Sequence, residues 1–185
     1  MIMKIDVALI HYPVCNKNNE IIGSAVTNLN LHDIARAGRT YGVDTFYVVT
    51  PFADQKKLVN EIVDHWQTGH GSTYNPDRKE AFSIIKLVDD VESLQVATRE
   101  KWGERPLTLA TCAQKMPNQV GYAKIRETLG EDVPVLLLFG TASGMTKDLF
   151  EQVDAVLPPL GCVGSYNHLS VRSAVSIILD RLLGT

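Results

Sequence analysis

Glycine and small polar residues concentrate in three turns of the second half of the chain, each directly after an apolar run. The turns are Thr111-Cys112-Ala113, Gly140-Thr141-Ala142-Ser143-Gly144 and Leu160-Gly161-Cys162-Val163-Gly164-Ser165. Glycine lets main-chain amides and carbonyls approach a ligand closely, as an adenine edge or a ribose would require. The turns therefore indicate a nucleoside pocket, although each one alone is more typical of an ordinary tight turn.

The sequence lacks the motifs of several common phosphate-binding, metal-binding and hydrolase sites. There is no G-x-x-x-x-G-K-[ST], and Tyr12-Pro13-Val14-Cys15 follows the first strand where a dinucleotide fold has a glycine-rich turn. The five histidines form no H-E-x-x-H pair, so we expect no metal site. The absence of G-x-S-x-G disfavours an α/β-hydrolase.

Apolar β-branched runs alternate with segments of helical period, which predicts an α/β fold with a mostly parallel six-stranded sheet and helices on both faces. The predicted strands are Asp6 to His11, Thr45 to Thr50, Ile84 to Val88, Leu107 to Thr111, Val135 to Phe139 and Ala155 to Leu157. The predicted helices are Leu31 to Tyr41, Gln55 to Trp66, Val91 to Lys101, Val120 to Leu129, Lys147 to Val153 and Ser170 to Leu183. Ligands of such sheets bind outside the carboxyl ends of the strands, where the three turns fall. No linker is apparent, so we expect one domain over residues 1–185.

Local signals refine the boundaries. Asn30 is a candidate N-cap with Asp33 at its third position, and Gly42 and Gly130 are candidate left-handed helix stops. The poorly patterned stretch from Gln67 to Lys79 is predicted to be a functional, lid-like loop.

The composition is that of a folded globular protein, with 45% hydrophobic and 21% charged residues. Its 18 basic and 21 acidic residues give a net charge of -3, so a polyanionic partner would need a local basic patch. No apolar run approaches about 18 residues, and no secretion signal is evident, so we expect a cytoplasmic protein without a membrane partner. Three cysteines without a C-x-x-C pair, Cys15, Cys112 and Cys162, are interpreted as reduced, buried thiols.

The segment from Asn30 to Asp44 resembles the first motif of the SpoU-like branch of the SPOUT superfamily, the knotted RNA methyltransferases. That motif reads N-x-G-x-I-x-R before a small-residue helix that ends in an aromatic-glycine pair. Asn30, Ile34 and Arg36 fall in its register, as does the pair Tyr41-Gly42, while His32 stands at the glycine position.

Two later segments resemble the other motifs of this family. Residues 134–140, Pro-Val-Leu-Leu-Leu-Phe-Gly, followed by Gly144, are similar to the second motif but lack its frequent glutamate. Residues 165–171, Ser-Tyr-Asn-His-Leu-Ser-Val, are similar to the third, with Asn167 at the motif's asparagine and one extra residue.

The resemblance implies a single domain with a C-terminal trefoil knot, a homodimer, and methyl transfer from S-adenosylmethionine to an RNA. The RNA would be tRNA or rRNA, and the acceptor a ribose 2'-hydroxyl or a base. The implied donor-binding residues are Thr111, Cys112, Phe139, Gly140, Thr141, Leu160, Gly161, Tyr166, His168 and Leu169. The implied catalytic residues are Arg36, Asn30, Asn167 and Ser170.

By the same resemblance, Arg36 acts at the acceptor. Because a guanidinium is almost never deprotonated, we expect Arg36 to hold the target phosphate and stabilise a developing alkoxide. Asn30 would hold Arg36 or the donor in register, and Asn167 and Ser170 would orient the acceptor or a water. A plainer alternative is that Arg36 pairs with Asp33 on the helix surface and that Asn30 only caps the helix.

Partner surfaces are less clearly marked. Candidate RNA contacts are Arg36, Arg39, Lys115, Lys124 and Arg172, with Arg78 and Lys79 from the predicted loop. An apolar stripe on the last helix suits either a dimer contact or the core: Val171, Ala174, Val175, Ile178 and Leu182. Two alternatives stay open, a non-catalytic module that binds S-adenosylmethionine or RNA and an unknotted, flavodoxin-like nucleotide-binding domain.

Overall fold

The computed structural model describes residues 4–162 and 164–184. Its strands are β1 (Ile5–Ile10), β2 (Val14–Cys15), β3 (Ile21–Ile22), β4 (Thr45–Val49), β5 (Ile85–Val88), β6 (Leu107–Ala110), β7 (Val135–Gly140) and β8 (Ala155–Val156). Its helices are α1 (Asn28–Thr40), α2 (Ala53–Gln67), α3 (His70–Tyr74), α4 (Pro76–Phe82), α5 (Val91–Trp102), α6 (Tyr122–Gly130), α7 (Lys147–Glu151) and α8 (Val171–Leu183). The predicted α/β architecture is confirmed.

The main sheet has six parallel strands in the order β5-β4-β1-β7-β6-β8. Its central strands are nearly all apolar because both faces are covered. On one face, alternate residues such as Val7 and Leu9 of β1 share a core with α1, α2, α4, α6 and α8. On the other face, Ala8 and Ile10 pack with residues of α5 and α7.

The strand order excludes the flavodoxin-like alternative. In a flavodoxin-like sheet the strands run 2-1-3-4-5, so consecutive strands lie side by side after the switch point. Here β7 lies between β1 and β6, and the chain returns from β8 at the sheet edge to pack α8 against α1 and α6. This path agrees with the knot implied by the resemblance, and the knot itself stays a prediction.

Helix boundaries correct two of the capping predictions. Thr27, and not Asn30, is the N-cap of α1: its Oγ1 accepts the Asn30 amide at 3.3 Å, and Asn30 is buried in the first turn. Gly42 has the predicted positive φ of 75°. Gly130 does not, because α6 continues through it and the chain turns at Asp132, with a φ of 63°.

Two segments differ from the sequence prediction. The stretch from Gln67 to Lys79, predicted to be a loop, folds as α3 and α4, because Asn75 caps α4 through its side chain and Pro76 starts it. The hairpin of β2 and β3 was missed. Its strands are only two residues each, and Asn16 Oδ1 closes the turn by accepting the amides of Asn18 and Glu20 at 2.8 and 3.0 Å.

Candidate active site

Loops after β6, β7 and β8 lie at the carboxyl edge of the sheet, as predicted. We call residues 111–113, 140–144 and the described part of 160–169 the cradle. The Thr111 amide and hydroxyl both donate to Leu138 O on β7, at 3.1 and 3.0 Å. Asn167 Nδ2 donates to Ala113 O at 2.9 Å, so the loop after β8 is fastened to the loop after β6.

Apolar and aromatic side chains of the cradle stand open to solvent. Tyr166 is 78% exposed and Leu169 is 47% exposed. The rings of Tyr166 and His168 stack with centroids 6.2 Å apart, and Gly161 of the same loop is exposed. Exposed rings beside open main chain suit a ligand with a flat apolar face and polar edges, as a nucleoside has.

Three of the remaining donor-binding candidates have buried or half-buried side chains. Phe139 and Leu160 are buried in the core on the face of the sheet that α1 and α8 cover. Cys112 is half-buried and packs against the core on the other face of the sheet, which α5 and α7 cover. Of the cysteines predicted to be buried, Cys15 is also half-buried, but Cys162 is exposed because its loop lies over the sheet edge.

Gly140 is fixed by the turn that follows it. A Cβ there would lie 2.8 Å from the Met145 amide nitrogen, which a side chain cannot satisfy without moving the backbone. The hairpin holds this turn from outside: the Cys15 amide donates to Gly144 O at 2.8 Å, and the Ser143 amide donates to Cys15 O at 2.9 Å. The turn is therefore shaped before any ligand arrives.

Thr141 belongs to a buried polar cluster that sequence reasoning missed. Its hydroxyl donates to Ile10 O at 2.8 Å and lies 2.5 Å from Ser24 Oγ, which is also 3.0 Å from His11 Nδ1. His11 is fully buried, and this burial lowers its pKa to about 4, so the ring is neutral near pH 7. A histidine that ends an apolar strand was the available signal.

Arg36 lies on α1 at a second feature, a cavity of about 300 Å³ between α1 and α8 that we call the groove. The lining residues are Asp33, Arg36, Ala37, Thr40, Arg172, Ser173 and Ser176. Asp33 Oδ2 is 3.1 Å from Arg172 Nε. The alternative in which Asp33 pairs with Arg36 is therefore wrong, and no ion pair engages Arg36 within residues 4–162 and 164–184.

The first turn of α8 connects the groove to the cradle. Ser170 is the N-cap of α8: its Oγ accepts the Ser173 amide at 3.4 Å and lies 2.8 Å from Ser173 Oγ, which lines the groove. Leu169 of the cradle directly precedes this cap. Within the described part of the chain, no hydrogen bond joins Asn30 to Arg36.

Comparison with known proteins decides the family. A family model described as SAM-dependent RNA methyltransferase matches residues 4–184. This chain belongs to that family. This chain is also 42% identical over 177 residues to a protein of Oleidesulfovibrio alaskensis named tRNA (guanine-N(1)-)-methyltransferase, covering 96% of this chain and 41% of the relative.

Two further relatives extend this match. A protein of the same name from Nitratidesulfovibrio vulgaris is 45% identical, again over 96% of this chain and 41% of the relative. An uncharacterized protein of Aquifex aeolicus is 37% identical, over 95% of this chain and 86% of its own length. The chain thus spans about two fifths of the length of the two named relatives.

Solved structures confirm the fold of the SpoU-like resemblance. A probable methylase family protein of Haemophilus influenzae aligns with a TM-score of 0.65 at 17% identity, covering 98% of this chain and 66% of that one. The TrmH/SpoU tRNA modifying enzyme of A. aeolicus aligns with a TM-score of 0.59 at 18% identity, covering 98% and 74%. Identities this low show a shared fold.

Some of the basic residues expected to contact RNA are already engaged in ion pairs or cation–π contacts, and others are not. Arg39 pairs with Glu80 and Lys124 with Glu127. The guanidinium of Arg78 lies over the Trp66 ring, 4.6 Å from its centroid. Side chains that are exposed and engaged in no ion pair within the described residues are Arg36, Lys79 and Lys115.

The stripe on α8 proves to be mainly core. Val175, Ile178 and Leu182 are buried within the protomer, and Val171 and Ala174 pack partly against the same core. Among the helices of the described residues, none has the length and apolar character needed to cross a membrane.

Proposed function

We propose that this chain transfers a methyl group from S-adenosylmethionine to a nucleotide of tRNA, at a ribose hydroxyl or a base. The observation that carries the proposal is Arg36, which is exposed, forms no ion pair among the described residues, and lines a groove joined to the cradle through Ser170 and Ser173. The names of two relatives favour tRNA over rRNA.

The residues of the cradle fit the donor. When bound, S-adenosylmethionine supplies an activated methyl group on a sulfonium. Main-chain groups at Phe139, Gly140 and Gly161 would hold its polar edges, and Tyr166 and Leu169 would cover its apolar face. These two side chains are exposed in the protein alone, so their burial would favour binding.

Arg36 is the residue that would act on the acceptor. Its guanidinium can stabilise negative charge developing on an attacking oxygen. Holding acceptor and donor in line can supply up to about 7 to 11 kcal/mol of the barrier reduction. Few reactive side chains are then needed.

Asn167 and Ser170 act as positioning residues in this proposal. Asn167 Nδ2 donates to Ala113 O. Its Oδ1 could accept a hydrogen bond from a hydroxyl or amino group of the target nucleotide. Ser170 caps α8 and so fixes the direction in which α8 leaves the cradle. Asn30, buried at the start of α1, helps to set the position of the helix that bears Arg36.

The proposal includes a homodimer in the cytoplasm, where tRNA is available. With a net charge of -3, the chain offers few cations for a large RNA, and a second copy would double them. Sedimentation velocity tests the dimer directly. A monomer at micromolar concentration would contradict the proposed homodimer.

The test of the proposal uses labelled S-adenosylmethionine with bulk tRNA, followed by mapping of any labelled nucleotide. We expect transfer by the wild type and a loss of about 100- to 1,000-fold in Arg36→Ala, with donor affinity unchanged. Arg99→Ala is the matched control, since Arg99 lies on α5 at the opposite face of the sheet. Donor binding without transfer to any RNA would instead support the non-catalytic module.

A further inference from the structure

The groove between α1 and α8 contains a second arginine that the three motifs do not use. Arg172 is in the first turn of α8, opposite Arg36 on α1, and both line the same cavity of about 300 Å³. In each helix, a hydroxyl four residues on donates to the arginine's own carbonyl: Thr40 to Arg36 O at 2.8 Å and Ser176 to Arg172 O at 3.0 Å. These hydroxyl protons are used within the helices, so the arginines are the groove's principal free donors.

The ion pair with Asp33 orients Arg172 without using its whole guanidinium. Asp33 Oδ2 approaches Nε at 3.1 Å, and no hydrogen bond engages either Nη atom in the part of the chain that the structure describes. A guanidinium binds phosphate best through its planar fork of N–H groups. The fork end of Arg172 is thus available to a ligand.

The charges in the groove match one phosphodiester. Two arginines and one aspartate give a net charge of +1, and each RNA phosphodiester carries a single negative charge. The cavity volume is at the lower end of the range of small-ligand sites, which is sufficient for one nucleotide unit. Asp33 balances only one of the two arginines, so an anion that enters the groove meets a net positive charge.

We infer that Arg36 and Arg172 form a clamp for one backbone phosphate of the RNA substrate, with Asp33 as the residue that orients Arg172. This inference rests on the proposed function for the identity of the RNA. The clamp would set which nucleotide reaches the cradle, because the first turn of α8, which lines the groove, follows directly after the cradle.

The test measures binding of fluorescent tRNA by anisotropy between about 50 and 200 mM KCl. We expect Arg172→Ala to weaken binding about three- to tenfold and to lower the slope of log affinity against log salt by about 1. Arg172→Lys keeps the positive charge but loses the planar fork of N–H groups. Its tRNA affinity should therefore lie between those of the wild type and Arg172→Ala. Unchanged affinity and slope in Arg172→Ala would overturn the clamp.

A second variant separates charge from structure. Asp33→Asn breaks the same ion pair as Arg172→Ala but leaves both arginines, so we expect it to bind tRNA at least as tightly as the wild type. Equal weakening by both variants would mean that the ion pair only supports the fold, and the inference would be wrong. Thermal unfolding of each variant shows whether the chain is intact.

Two more outcomes are distinguished by sedimentation and methyl transfer. If Arg172→Ala changes the oligomeric state and not the tRNA affinity, the groove is an interface between copies and the clamp is wrong. If the wild type transfers no methyl group while Arg172→Ala still loses tRNA affinity, the clamp stands and the proposed function fails. Normal transfer and normal tRNA binding by Arg172→Ala would remove the clamp alone.

Discussion

The two edges of the parallel sheet differ in how completely their buried polar side chains are hydrogen-bonded. At the amino edge, the fully buried Asp6 accepts from Lys101 Nζ at 2.5 Å, from Trp102 Nε1 at 2.8 Å and from the Thr45 amide at 3.0 Å. At the carboxyl edge, His11 Nε2 and Thr50 Oγ1 are buried without a hydrogen-bond partner among the described residues.

This difference indicates that the amino edge contributes mainly to stability and the carboxyl edge to ligand binding. Burial raises the pKa of Asp6, although Lys101 and Trp102 counter this, while Asp44 has a lowered pKa because Lys101 outweighs the effect of its own burial. Lys101 thereby joins Asp6 and Asp44 in one network at the amino edge. The carboxyl edge instead carries exposed loops and two buried polar atoms without a partner among the described residues, and this is the edge at which such sheets bind ligands.

The largest expected effect comes from breaking the amino edge. Lys101→Met leaves Asp6 buried without its cation, and removing one partner of a buried pair costs about 3 to 5 kcal/mol. Urea unfolding measures this loss. Affinity for S-adenosylmethionine should be unchanged while the variant is folded, and a selective loss of donor affinity would contradict the separation of the edges.

A smaller effect is expected from acid at the carboxyl edge. In the unfolded chain His11 takes up a proton near pH 6.5, but in the folded chain only near pH 4, so stability is lost as the pH falls through this window. The loss from this group approaches about 3 kcal/mol at the lower end. Urea unfolding at several pH values checks it.

The control for that experiment is His11→Gln, which removes the titrating ring and keeps a polar side chain. Between about pH 6.5 and 4 its stability should fall less steeply than that of the wild type. Parallel curves for the two proteins would show that His11 does not titrate as its burial requires.

The smallest expected effect concerns the fastening of the cradle. Asn167→Ala removes the hydrogen bond to Ala113 O, which is worth about 1 kcal/mol, so donor affinity should fall about fivefold. Ser165→Ala, an exposed change in the same loop, is the matched control. Titration calorimetry measures the donor affinity of both variants. Equal affinities would mean that the Asn167 hydrogen bond does not contribute to donor binding.

Strands and long helices could be predicted from sequence because their apolar periods are strong. The six strands lie where the runs of β-branched residues placed them, and the glycine-rich turns lie together because they follow strands of one parallel sheet. The short hairpin and α3 and α4 depend on local side-chain bonds from Asn16 and Asn75, which have no period to detect.

The pairing of charges could not be predicted either. Asp33 is three residues from Arg36 on α1, a spacing that favours an ion pair in an isolated helix. Its actual partner, Arg172, lies 139 residues away, and only the packing of α1 against α8 brings the two together. The freedom of Arg36, on which the proposed chemistry depends, is therefore a property of the tertiary structure.

Calorimetric titration with S-adenosylmethionine tests the central claim most directly, since that claim is that the cradle binds the methyl donor. We expect saturable binding at one site per chain, weakened by Asn167→Ala and unaffected by Arg36→Ala and Arg172→Ala. An absence of saturable binding by the wild type, or an equal loss in all three variants, would contradict the account.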